Sequence, residues 1–347
     1  MLERSLGIRT INNFDKNEEN PVNASLRRSC LAVLCTMSIH GGYACAAAFP
    51  TRPMLLVIPF APTGSTTLVF HAMSQKLSEN LGKQVVILSK PGGAATIGMN
   101  QVAKATPDGY TLGVATLSFA ANPSFMGDQM PFNTEKDLVP VTLVTRLPMV
   151  LTIHSTVPAR SVKELIALAK AKPGALNYGS AGIASSGHFG GALFELMAGI
   201  KMTHVPYSSS GSAAGLVGGQ TQLQISPIPS VLSFVKSGQL LALGVATLKP
   251  DPTLPGVPPL ADSVPGYEAY EWSGVVVPAG TPDEVISRLQ REIVKTLKDP
   301  DVTRRIENFG AQVVGSTQQE FAAHIKKELA KWAKVTTAIK ASGSLNR

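Results

Sequence analysis

The chain has 347 residues, of which 44% are hydrophobic and 16% charged, and its formal net charge is +8. A mean hydropathy of +0.14, without low-complexity tracts, excludes a polytopic membrane protein and a disordered chain. This length suits two domains and buries about three quarters of the unfolded surface, so neither disulfides nor metals are needed to hold the fold.

The first 48 residues read as a removable export leader. Arg27-Arg28 is a basic flank, Cys30–Ile39 a short apolar core, and Gly41-Gly42 a break before the small residues Ala44 to Ala48. Ala46-x-Ala48 places the cut before Phe49; Ala44-x-Ala46 places it before Ala47. The core is too short to span a bilayer; a buried N-terminal helix is the alternative. The export route stays open, because the segment before the core is long and carries Glu3, Asp15, Glu18 and Glu19. Either the true start lies later or Arg27-Arg28 belongs to a twin-arginine signal, which Ser29-Cys30-Leu31 fits poorly. Gly42-Tyr43-Ala44 is a weak lipobox, so a cleaved leader is preferred to a lipid anchor at Cys45. All three cysteines fall in this segment. Without them, thiol catalysis and cysteine zinc sites are excluded. The remainder carries +7, with its basic residues scattered and not interleaved with aromatics, so nucleic acid is not an expected partner.

From Pro53 the chain alternates strand and helix patterns. Met54–Pro59 and Gln84–Leu88 predict buried strands. The first leads through a Gly/Ser/Thr loop to a helix ending near Leu81. The second leads through Pro91–Ala95 to a helix ending near Ala105. Pro107-Asp108-Gly109 is a turn before a third strand, Tyr110–Ala115. Strands are then predicted at Met149–Ile153, Leu176–Tyr178, Met202–Pro206, Leu223–Ser226 and Leu241–Ala246. Between them come helices opened by the Ser161-x-x-Glu164 capping box, at Gly187–Ala198, at 211–218 and at 229–237. The Pro-rich stretch Lys249–Pro265 is expected to cross between domains. Thr281-Pro-Asp-Glu284 reads as a capping box with Pro at the first helical position. Asp299-Pro300 caps a short helix. Thr317-x-x-Glu320 caps a long one, with Phe321, Ile325, Leu329, Trp332, Val335 and Ile339 on one face. The alternation predicts an α/β fold with doubly wound parallel sheets.

Catalytic constellations are missing from the sequence. His71, His154, His188, His204 and His324 have no metal-ligand spacing, no Ser sits in G-x-S-x-G, and Gly92-Gly93…Gly98 is not a dinucleotide fingerprint. No metal or cofactor is expected. Two similar units stand out instead. Phe60 to Thr67 and Gly179 to His188 each place small and hydroxyl residues between a strand and a helix. A helix N-terminus with free N–H groups and partial positive charge binds anions without arginine, and in open α/β sheets ligands sit beyond the strand carboxyl ends. Two such units form a pincer for a small anion; alternatively they are ordinary capped loops.

At these residues the chain resembles the Bug family, the extracytoplasmic receptors of tripartite tricarboxylate transporters. The matching stretches run in order over nearly the whole chain after Phe49: Pro50–Phe60, Pro91-Gly92…Ile97-Gly98, Ala105–Leu112, Asn122-Pro123-Ser124, Leu176–Ser180, Ser186-Gly187-His188, His204–Tyr207, Gly218-Gly219-Gln220, Pro278–Pro282 and Val314–Thr317. The resemblance implies a two-lobed, Venus-flytrap periplasmic binding protein, each lobe a doubly wound sheet flanked by helices. Lobe 1 comprises 49–148 plus 271–342 and lobe 2 comprises 149–270, with crossings near Leu147-Pro148 and Tyr270-Glu271.

It further implies that a ligand carboxylate is gripped by Phe60, Thr63, Gly64, Ser65, Thr66, Thr67, Leu117, Ser118, Asn122, Ser180, Ser185, Ser186, Pro206, Tyr207 and Pro227. His188 either joins them or caps its own loop. The family loop usually reads P-F-x-x-G-G-x-x-D. Here Thr67 replaces the Asp and Ser226-Pro227 is neutral as well, so a cleft without negative charge is expected, favouring a dicarboxylate or aromatic carboxylate over an amino acid. The implied partners are that ligand and the membrane permease subunits; a monomer is expected. A periplasmic sensor for a signalling partner is the alternative. A hydrolase pairing Ser186 with His188 is a remote one, since no acid is placed to orient the imidazole.

Overall fold

Residues 49–207 and 211–341 are described by the structure, a computed structural model; the expected leader, its cysteines and its cleavage site lie outside them. Strands and helices follow in the order β1 (Met54–Ile58), α1 (Ser65–Leu81), β2 (Val85–Ser89), α2 (Thr96–Ala103), β3 (Thr111–Thr116), α3 (Leu117–Met126), β4 (Leu138–His154), α4 (Val162–Ala171), β5 (Asn177–Ser180), α5 (Ser186–Ala198), β6 (Thr203–Pro206), α6 (Gly211–Val217), β7 (Leu223–Pro227), α7 (Leu232–Lys236), β8 (Leu240–Val245), β9 (Tyr270–Pro278), α8 (Asp283–Leu297), α9 (Pro300–Asn308), β10 (Gln312–Val313) and α10 (Gln318–Ala341).

The expected parallel βαβ units are present as two groups, β2-β1-β3 and β6-β5-β7. The sheet as a whole is mixed, which corrects the purely parallel expectation. Antiparallel β9 and β4 join the groups in the order β2-β1-β3-β9-β4-β7-β5-β6, and β8 and β10 also pair with β4. The reason is β4. Its first part, Leu138–Pro148, pairs with β9, and its last part, Met149–His154, pairs with β7 and β8. Pro148 has no N–H for a ladder and tolerates only ends and irregular points of strands; it stands at the last register position with β9. Bulges between Pro140 and Thr142 and between Leu143 and Thr145 bend this strand. β4 thus belongs to both halves, and the described residues from Phe49 onward form one compact unit.

The caps follow the sequence at three helices. Ser161 accepts from Glu164 N, Asp299 accepts from Asp301 and Val302 N, and Thr317 and Glu320 cap each other reciprocally. The fourth expectation fails: Pro282 is itself the N-cap of α8, and the buried Thr281 hydroxyl turns back to donate to the Pro278 carbonyl. The Pro-rich stretch does not cross between the halves. It lies on β8, where Val245 N donates to Pro258 O and Leu254 and Leu260 are buried.

Helix α10 closes the sheet over β9. The Glu328 carboxylate accepts from the indole N–H of both Trp272 and Trp332, at 3.2 and 2.9 Å. Trp332 packs on Phe189 of α5 and Trp272 on Phe321. This close approach requires Gly274: a Cβ there would land on the Phe321 ring and lie 2.8 Å from the Thr142 carbonyl. Gly274→Ala is therefore expected to lower unfolding stability by about 1–3 kcal/mol, the usual cost of overpacking, measured by urea denaturation. A change under 0.5 kcal/mol contradicts this packing.

Candidate functional site

Both loops singled out in the sequence lie at strand carboxyl ends and open helices. After β1, the chain turns at Ala61–Gly64, where Gly64 N donates to Ala61 O, and α1 starts with Gly64 as an N-cap that contributes no side chain. Its first N–H groups are therefore not satisfied by a capping side chain. Thr66 and Thr67 are buried, and the Thr67 hydroxyl donates to Ala61 O at 2.9 Å, holding the turn. Phe60 packs half-buried on the core beside β1. The hydroxyls of Thr63, Ser65 and Thr66 make no hydrogen bond to another described residue.

After β5, the Ser180 hydroxyl donates to Gly182 O and lies 2.7 Å from His204 Nε2. Ser185 caps α5, accepting from His188 N and donating to Gly182 O. Tyr207 N donates to Ser180 O, while its phenol reaches Gln220 and its ring lies on Gly211 and Gly215. Pro206 is exposed at the end of β6 and Pro227 half-buried at the end of β7.

Helix α3, hidden from the sequence by Pro123 in its interior, ties a loop from each half. Leu117 is buried at its start. Ser118 and Asn122 stand one turn apart on one face. The Ser118 hydroxyl donates to Ala184 O at 2.7 Å, and Asn122 Nδ2 donates to Ala94 O at 2.6 Å. The two alanines thus held have φ of 61° and 56°, and Ala95 has 73°. This left-handed conformation costs an L-residue about 1–2 kcal/mol, and such strain gathers at ligand-binding loops. Asn122 Oδ1 is buried without a partner among the described residues.

The imidazoles contribute no positive charge. His188 stacks on His204 with centroids 4.2 Å apart, and His204 lies on Tyr178. Burial, then the neighbouring His204, lowers His188 to about 3; burial lowers His204 to about 4. His188 Nδ1 accepts from Ala184 N at 3.1 Å, so its proton is on Nε2. His188 therefore caps its own loop, and among the described residues no hydrogen bond joins it to Ser186.

Ser186 has another neighbour, which the sequence reading missed. Glu271 of β9 is 6% exposed. Burial raises its carboxyl to about 7, and the neighbouring Ser186 hydroxyl offsets this in part. Strand alternation explains the placement: Glu271 pairs with Leu147 and points away from the face of Trp272. The available signal was an acid inside the otherwise apolar strand Tyr270–Pro278.

The profile of the family described as "Tripartite tricarboxylate transporter family receptor" matches residues 69–341. The protein BugT of Bordetella pertussis is 33% identical over 83% of this chain and 89% of its own length. Among solved structures, a protein of R. palustris with adipate superposes with a TM-score of 0.77 at 32% identity, covering 84% of this chain and 98% of that one. MatC of Rhodopseudomonas palustris with bound malate gives 0.76 at 28%, covering 83% and 100%. The mixed α/β fold is that of two-lobed periplasmic binding proteins. No described helix is long and apolar enough to cross a membrane. On the family profile and these likenesses together, the chain belongs to the tripartite tricarboxylate transporter family of receptors.

Proposed function

We propose that this protein works outside the cytoplasm, taking a small organic carboxylate between two lobes and delivering it to the permease subunits of a tripartite transporter. The lobes are 49–148 plus 271–342 and 149–270; the change of β4 partners between Pro148 and Met149 supports that division. One observation carries the reading. Helix α1 opens with no side-chain cap, beside the unspent hydroxyls of Thr63, Ser65 and Thr66, at the carboxyl end of β1. Such an arrangement stabilises a carboxylate through N–H and O–H donors and the helix dipole. The second grip is the start of α5 at Ser185 and Ser186. Adipate and malate in the solved relatives favour a dicarboxylate here, with aromatic carboxylates next.

A thermal-shift panel of mono-, di-, tri- and aromatic carboxylates, with amino acids and sugars beside them, tests this. A ligand at 100 times its Kd stabilises by about 2.7 kcal/mol, so at least one dicarboxylate or aromatic carboxylate is expected to raise the melting midpoint by several degrees. A shift from amino acids or sugars alone would overturn the carboxylate reading. The variant Ser186→Pro keeps a residue tolerated at the first helical position but removes both donors of Ser186. It is expected to lose binding at least tenfold with an unchanged circular-dichroism spectrum; unchanged affinity removes this loop from the site.

A further inference from the structure

Ala184 stands directly before Ser185 and Ser186, the second grip, and both of its backbone polar groups are held. Its N–H donates to Nδ1 of His188 at 3.1 Å, from within the same half. Its carbonyl accepts from the Ser118 hydroxyl at 2.7 Å, from α3 of the other half. Ser118 and Ala184 are 3% and 1% exposed, so solvent has little access to this bond. The Ala184 carbonyl shares one rigid peptide plane with the N–H of Ser185, and Ser185 is the N-cap of α5. Ser118 therefore fixes the plane from which the first N–H groups of α5 are aimed.

Two features separate this bond from ordinary packing. The φ of Ala184 is 61°, a left-handed conformation that an L-residue leaves unless it is held there. The same face of α3 also repeats the device one turn later, where Asn122 Nδ2 donates at 2.6 Å to the carbonyl of Ala94, whose φ is 56°. A hydroxyl has a single proton. Ser118 gives it to Ala184, and a carboxylate accepts hydrogen bonds without donating any, so Ser118 has no donor left for an anion.

We propose that Ser118 is a positioning residue of the carboxylate site: it acts on affinity through Ala184, by holding the left-handed turn that aims the start of α5, and does not touch the ligand. This rests on the carboxylate reading above. It gives Ser118 a role other than the direct contact that the family resemblance implies, and it makes the grip of one half depend on a helix of the other. Without the hydroxyl, the Ala184 carbonyl is buried without this donor and Ala184 relaxes towards negative φ. The competent loop is then only a fraction of the population, and apparent affinity falls by that fraction. Glycine in place of Ala184 enters the left-handed region without steric cost, so it removes the need for a holder. A direct contact has no such dependence.

The test is a double-mutant cycle read by titration calorimetry with adipate and with malate, for wild type, Ser118→Ala, Ala184→Gly and the double variant. Ser118→Ala is expected to weaken binding about tenfold. The same change made in the Ala184→Gly background is expected to weaken it about threefold or less, the non-additivity that marks coupled residues. An equal or larger loss in the glycine background overturns the proposal, because Ser118 then acts on the ligand itself; so does the absence of any loss in the Ala184 background. If wild type binds neither anion, the carboxylate reading fails, and a crystal structure of Ser118→Ala still decides the role of Ser118. Ala184 is expected to leave the left-handed region in that variant, and an unchanged φ overturns the proposal. Should Ser118→Ala fail to fold, Ser118→Cys, which keeps the shape and supplies only a weak donor, takes its place in the cycle with the same pattern expected.

Discussion

The antiparallel pairing of β4 with β9 is the constraint from which the rest follows. β4 pairs with strands of both halves of the sheet, and the β4–β9 ladder joins the β2-β1-β3 group to the β6-β5-β7 group. Their register sets which side chains share a face of the sheet. Leu147 and Glu271 share one row; Arg146 and Trp272 share the next. A slip of one residue would exchange these rows. The Trp272–Glu328–Trp332 bridge holds that register from outside, and Gly274 lets α10 come close enough to form it.

Around this ladder the molecule spends its polar side chains on its own backbone. Ser118, Asn122, Ser180, Ser185 and His188 all serve loops with unusual conformations. The strain in Ala94, Ala95 and Ala184 is thereby held in place before any ligand arrives, which lowers the ordering cost of binding. What remains for a ligand are helix-end N–H groups and a few unspent hydroxyls. A site of that kind suits a small anion with distributed oxygens and has no cation to demand a particular one. Selectivity must then come from shape.

Much of this was legible in the sequence because it is local. Short β-branched runs, capping boxes at Ser161, Asp299 and Thr317, and the hydroxyl-rich loops at Phe60–Thr67 and Gly179–His188 each announce themselves within ten residues. The features that escaped depend on distant parts of the chain. The first part of β4 is masked by Pro140, Arg146 and Pro148, and is a strand only because β9 lies beside it. Helix α3 is masked by Pro123. The Thr281 cap fails because its hydroxyl finds a carbonyl at the end of β9. Glu271 is 85 positions from Ser186, and no periodicity in either segment connects them.

The central claim is that a carboxylate is held at the starts of α1 and α5 by backbone amides and hydroxyls. A crystal structure of the protein grown with adipate tests it most directly. The account predicts one carboxylate within hydrogen-bond distance of the backbone N–H or hydroxyl of Ser65 or Thr66, and the other at Ser186. Adipate found instead on a cationic side chain such as Arg146, with both helix starts unengaged, would contradict it.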